Sequence, residues 1–117
     1  MDKGQLIAVN GALYEYDRYD EYLQMHFTTE VEIDEDGILT ATYVARAFTD
    51  AELSNRGIDL TEKQWIGLTK HFIRQEYDLT EEEIKDAAED IVCRCFAVTR
   101  IPLVEELPNY IAIYMNR

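Results

Sequence analysis

The chain has 117 residues, 47% of them hydrophobic and 30% charged, with 24 acids against 11 bases and a net charge of -13. That length fits one domain, and the apolar fraction is too high for a disordered tail. The bases are scattered singly, so direct binding to nucleic acid and to anionic membrane surfaces is disfavoured, and cationic partners are favoured.

The acidity is concentrated. Glu15 to Asp36 holds nine acids and one base, and Glu76 to Asp90 holds eight acids and one base. The other 80 residues carry seven acids and nine bases, so two segments account for the whole imbalance. No stretch approaches the roughly 18 apolar residues of a membrane span. The beginning of the chain, with its apolar run broken at Asn10-Gly11, does not read as a signal peptide.

In chain order, residues 5 to 16 predict a hairpin turning at Asn10-Gly11, because a type I′ turn needs positive φ at both central positions. Residues 17 to 21 read as a loop. From Tyr22 to Asp34 the pattern alternates: Leu23, Met25, Phe27, Val31 and Ile33 predict an apolar stripe facing inward. Asp34-Glu35-Asp36-Gly37 supplies the next turn, and 38 to 48 returns as a β-branched, aromatic strand.

The period then changes. Thr49 with Glu52, Thr61 with Gln64 and Thr80 with Glu83 are three capping boxes, each opening a helix. The first helix should end at Gly57. The second should run about 62 to 77, burying Trp65, Leu68, Phe72 and Ile73, with Leu60 stapled to Trp65. The third should run about 81 to 97, burying Ile84, Ala87, Ala88, Ile91 and Cys95. Pro102 and Pro108 exclude a continuous helix to the C-terminus, and the short apolar run NYIAIYM predicts a closing strand at about 109 to 115. The expectation is therefore an α+β fold. Antiparallel hairpins (about 5 to 48) precede two to three helices (about 50 to 97) and that strand, all in a single domain over 1 to 117.

Motifs for catalysis and metal binding are weak. Glu32-x-Asp34-x-Asp36-Gly37 copies the opening of a calcium loop, but Tyr43 stands where the bidentate Glu belongs and the flanks are strands. Cys93 and Cys95, two apart on a helix, point to different sides and do not grip one ion. They read as buried free thiols of a reducing, cytoplasmic compartment. A nucleophilic Cys is disfavoured in a helix interior beside Glu89 and Asp90. The expectation is a protein that is not an enzyme and carries no metal or cofactor.

The acidic stretches carry the functional reading. On the third helix, Glu82, Asp86, Glu89 and Asp90 are candidate phosphate surrogates, with Glu82, Asp86 and Glu89 on the side away from Ile84, Ala88 and Ile91. Acids in the first turn suit the helix dipole, whereas those further along do not benefit from it. Asp34, Glu35 and Asp36 form a second candidate group at the hairpin tip. In the first segment four Tyr interleave with acids. Asp17, Asp20 and Glu21 add charge there, while Tyr14, Tyr16, Tyr19 and Tyr22 are candidate packing anchors. In composition the chain resembles the small phage and mobile-element inhibitors that imitate nucleic acid, such as anti-restriction and anti-CRISPR proteins. That resemblance transfers no residue roles. It implies an inhibitor that occupies the basic nucleic-acid-binding surface of a partner protein. The competing expectation is an adaptor subunit or homo-oligomer, a homodimer for instance, that makes contact through an apolar sheet face.

Overall fold

The computed structural model describes residues 1–54, 56, 60–97 and 103–116. It is α+β: four strands, β1 (Leu6–Val9), β2 (Ala12–Asp20), β3 (Met25–Ile33) and β4 (Leu39–Phe48), precede α1 (Asp50–Ser54), α2 (Glu62–Glu76) and α3 (Glu81–Ala97). A 3₁₀ turn at Val104–Glu106 then leads into α4 (Leu107–Met115). The strands form one sheet in the order β1-β2-β3-β4, antiparallel in the pairs β1–β2 and β2–β3. The described residues divide into two compact units. One contains residues 1–32, 40–60 and 103–105; the other contains the β3–β4 tip (33–39), 61–102 and 106–117.

In the first unit the β1–β2 hairpin turns at Asn10-Gly11 with φ of 52° and 79°, both positive as a type I′ turn requires. Ile7 pairs with Tyr14 and Val9 with Ala12. Ile7, Val9 and Tyr14 join Phe48 and Leu53 in one buried cluster, where the Tyr14 and Phe48 rings meet edge-on at 5.0 Å. Residues 17 to 20, expected in a loop, continue β2. A bulge at Asp17 absorbs the irregularity: Tyr16 faces Thr28, but Arg18 faces Phe27. One extra residue reverses the alternation, so Tyr14, Tyr16 and Tyr19 all share the sheet face of Glu30, Thr28 and His26. The expected alternation of β3 holds at Val31, but Thr28 is also buried and donates its hydroxyl to the carbonyl of Arg46.

In the second unit α2 and α3 begin as expected. Thr61 and Gln64 exchange side-chain and backbone hydrogen bonds at 2.8 and 3.2 Å, and Thr80 and Glu83 do so at 3.0 and 3.2 Å. Thr49 and Glu52 cap α1 in the same way. Gly57, the expected end of that helix, lies outside the described residues, as does Pro102. The buried faces are Trp65, Leu68 and Ile73 on α2 and Ile84, Ala87, Ala88, Ile91 and Cys95 on α3.

The expected closing strand at 109–115 is a helix instead. Pro108 sits in the first turn, where its missing N–H and fixed φ favour a helix start. Leu107 and Ile111 are buried one turn apart, a helical period that begins ahead of Pro108 and is hidden by the apolar content of the run after it.

The tip of the β3–β4 hairpin seats on α2 without side-chain spacing. A Cβ at Gly67 would run into the carbonyl of Asp34, and one at Gly37 would lie 2.9 Å from the carbonyl oxygen of Gly67. Gly37 also has φ of 84°, which L side chains rarely adopt. Ala ordinarily favours a helix interior over Gly by about 1 kcal/mol. Here Gly67→Ala should instead destabilise the protein by about 1–3 kcal/mol through overpacking, read as a lower urea midpoint. A midpoint that rises would show the tip is not seated there.

The caps also set an acid dependence. Hydrogen bonds from the Thr80 and Thr49 backbones, reinforced by the threonine hydroxyls, hold Glu83 and Glu52 below the ordinary carboxyl value of 4.5. A depressed folded value means the contribution is present above 4.5 and is lost as pH falls through the lower folded value. Glu83→Gln keeps an acceptor but does not titrate. The stability difference between the natural protein and this variant should therefore shrink between neutral pH and about pH 3. A difference constant across urea titrations would contradict the assignment.

Candidate partner-binding surface

On α3 the buried stripe leaves Glu82, Asp86 and Glu89 exposed on the opposite side. At 1.5 Å rise per residue their Cα atoms step about 6 and 4.5 Å along the axis. Among the described residues none of the three has an ion-pair or hydrogen-bond partner on its side chain. Their neighbours differ. Arg74 of α2 grips both carboxylate oxygens of Glu81, at 3.2 and 2.9 Å, and holds that carboxyl below its usual range. Asp90 pairs with Arg94 at 3.3 Å, one turn on, and Arg94 also lies 5.8 Å from the centre of the Tyr114 ring.

The hairpin tip belongs to the same unit. Asp34 Oδ1 accepts from the backbone N–H groups of Asp36 and Ile38, both at 2.9 Å, so this carboxylate shapes the turn. Glu35 pairs with Lys63 at 3.2 Å. The Asp36 side chain is exposed, while its carbonyl accepts from Arg74 at 3.0 Å. Arg74 therefore ties the tip to the first turn of α3 and brings Asp36 and Glu81 together. His71, nearby on α2, is held below its ordinary value of 6.5, chiefly by burial, with the Arg74 charge adding and a Gly37 backbone hydrogen bond opposing.

In the first unit the candidates separate into two kinds. Asp17, at the bulge, lies 3.7 Å from Lys3 and 3.9 Å from Arg18. Asp20 caps the β2–β3 turn by accepting from the Leu23 N–H at 3.0 Å, which with Arg18 lowers its carboxyl from the usual value. Glu21 is exposed. Tyr22 is 94% exposed and Tyr19 39%, whereas Tyr16 is 5% exposed.

The Tyr16 hydroxyl lies 2.8 Å from His26 Nδ1, and His26 Nε2 lies 2.6 Å from Asp50 Oδ1. The neutral tautomer that satisfies both has Nε2–H donating to Asp50 and Nδ1 accepting from Tyr16. Burial first, and the Asp50 charge second, push the Tyr16 phenol above its ordinary value of 10.0, so it stays a donor. The chain Tyr16–His26–Asp50, with the Tyr19 ring tilted at 51° and its centre 4.6 Å from that of the imidazole, joins the sheet to α1. Sequence spacing gave no sign of it, since its links span 10 and 24 positions.

Among the described residues no three of His, Cys, Asp and Glu gather to hold an ion. Cys93 is exposed and Cys95 buried, and burial pushes the Cys95 thiol up. A groove of about 320 Å³ beside α2 and α4, lined mainly by Phe72, Tyr77, Pro108, Ile111 and Ala112, carries one carboxylate, Glu76. Among the described residues no helix is long and apolar enough to cross a membrane. Compared with protein families, curated proteins and solved structures, the chain matches none.

Two substitutions probe this geometry. Arg74→Met keeps the apolar stem and removes the fork, so the Glu81 carboxyl should titrate closer to 4.5 in an NMR pH series. An unmoved Glu81 would rule out the pair. Tyr16→Phe should lower stability by about 1 kcal/mol, because His26 Nδ1 loses its donor.

Proposed function

We propose that this is a non-enzymatic binding protein that presents carboxylates to the basic surface of a nucleic-acid-handling partner and so blocks it. One observation carries the reading. In a chain where many acids have partners, the row Glu82, Asp86 and Glu89 stands exposed on a packed helix with none among the described residues. Its axial steps of about 5 Å are within a factor of two of the 3.4 Å rise per phosphate along one strand of duplex DNA. A helix holds them in place, so little ordering is left to do on binding.

Asp36, beside the start of α3, extends this surface, and Asp90 contributes from its edge. Asp34 and Glu35 add field rather than free ligands, because one builds the turn and the other is paired with Lys63. In the first unit Glu21, Tyr19 and Tyr22 are the accessible members of the tyrosine-rich stretch and serve as further contacts. Asp17, Asp20 and Tyr16 support that stretch from beneath. An inhibitor of this kind acts in the cytoplasm of a host cell, as those encoded by phages and mobile elements do.

Binding should be electrostatically steered, with an on-rate that falls with salt. The test titrates the protein against a panel of basic nucleases and repressors by interferometry at about 50 to 500 mM salt. Affinity should fall steeply over that range for a true partner. Glu82→Lys with Asp86→Lys and Glu89→Lys should weaken binding by about a hundredfold or more, with an unchanged circular dichroism spectrum. Salt-independent binding, or full inhibition by the triple variant, would refute the proposal.

A further inference from the structure

The groove of about 320 Å³ between α2 and α4 lies wholly within the second unit. Each wall is one face of a helix. Phe72, Gln75 and Glu76 follow the i, i+3, i+4 spacing on α2, and Pro108, Ile111 and Ala112 follow it on α4. Ile111 is buried, whereas Pro108 and Ala112 are short, so the seam between the two faces stays unfilled. The chain leaves α2 at Tyr77 in an extended conformation, φ -131° and ψ 143°, and Tyr77 joins Phe72 in the lining. His71 meets the Phe72 ring edge-on, 5.7 Å between centres, and steadies it. A mostly apolar cleft of roughly 300 Å³ or more, with few polar groups, is the form that small-molecule sites take.

Charge selects the occupant. Glu76 is the one charged residue among the described lining. Its carboxylate has no ion-pair or hydrogen-bond partner among the described residues. Arg74, the base in the last turn of α2, is two positions away on a different side of the helix. It is committed to Glu81 and to the Asp36 carbonyl. An apolar occupant would cover Glu76 and leave a desolvated carboxylate unpaired, a cost set against the contact it gains. An anion would meet that carboxylate within the field of a chain of net charge -13. A cation on an aromatic body incurs neither cost. Its charge pairs with Glu76, and its body covers Phe72, Tyr77 and Ile111, where ring faces also favour positive charge.

We propose that this groove is a binding site for a small organic cation of the arylalkylamine class, an ammonium joined by a short chain to an aromatic ring. The inference is independent of the α3 row and of any basic protein that meets it.

A matched series of probes tests it. Tryptamine, tryptophol and indole-3-propionate share a ring and a chain but end in an ammonium, a hydroxyl and a carboxylate. In an NMR titration of the full chain at neutral pH, tryptamine should saturate with a Kd of about 1 mM or tighter. Its shifts should centre on Phe72, Glu76, Tyr77 and Ala112. Tryptophol should bind about tenfold more weakly, and indole-3-propionate should leave these signals unmoved up to about 10 mM. Glu76→Gln, at an exposed position, should reduce tryptamine to the affinity of tryptophol and leave tryptophol itself unchanged. Ala112→Leu fills the seam with another good helix former and should abolish binding of both, with an unchanged circular dichroism spectrum. Equal affinity for tryptamine and tryptophol, undiminished tryptamine binding by Glu76→Gln, shifts confined to the α3 acids, or no saturation would overturn the proposal.

Discussion

The carbonyl of Asp34 occupies the space that a side chain at position 67 would need. The second unit's organisation follows from that approach. Backbone against backbone, the hairpin tip can lie on α2 only because Gly67 and Gly37 lack Cβ atoms, and Gly37 supplies the positive φ that closes the turn. Once seated, the tip brings the Asp36 carbonyl within reach of Arg74, whose fork also holds Glu81. One guanidinium thereby joins three elements. Bidentate, charge-assisted bonds of this kind fix direction as well as distance. The orientation of the α3 acids is set in part by a glycine fifteen positions upstream of Glu82.

Ion pairing within the chain is selective. Lys63, Arg74 and Arg94 neutralise acids near helix ends and the hairpin tip, and Lys3 and Arg18 do so at the bulge. Most of these pairs are exposed, where solvent and salt screen them and little net stabilisation remains. Glu82, Asp86 and Glu89 of α3 have no ion-pair partner among the described residues, and Lys85 is the one base set among them. Like charges at i,i+3 and i,i+4 on a helix cost a few tenths of a kcal/mol per pair, and beyond the first turn the dipole no longer offsets them. That cost is small beside the burial of Ile84, Ala87, Ala88 and Ile91 on the other side. The packed face keeps the helix formed while the charged face stays in solvent.

Much of the fold was legible because its signals are local. A capping box closes over four residues, and Asn-Gly meets the dihedral demand of its own turn, so neither needs the rest of the chain. The errors arose where two signals overlapped. LPNYIAIYM is apolar at most positions, which masks the i,i+4 burial of Leu107 and Ile111, and Pro108, through which no regular helix runs, opens one instead. DRYDE is polar enough for a loop, yet a single bulge lets β2 run through it. The Tyr16–His26–Asp50 chain and the Gly67 seat depend on tertiary proximity and leave no periodic trace. At the candidate surface, exposure of Glu82, Asp86 and Glu89 was readable from the stripe opposite them, but the partners of Glu35, Glu81 and Asp17 were not.

The two acid-rich segments show why composition understates what geometry decides. In the first, acids lie on strands and turns, where successive side chains diverge and a carboxylate within reach of a free N–H is drawn to it. Asp20 and Asp34 both act this way, and both are absorbed into the turns they stabilise. In the second, intrahelical bonds already satisfy the N–H groups past the first turn, so Asp86 and Glu89 have no backbone donor to accept from. Among the described residues of α3 the first-turn acid Glu83 does, accepting from the Thr80 N–H, and it caps. Helical spacing then places the remaining carboxylates one turn apart on a common side. Acid-rich sequence thus gives local turn chemistry in the first segment and, in the second, solvent-exposed carboxylates held on one side of a packed helix.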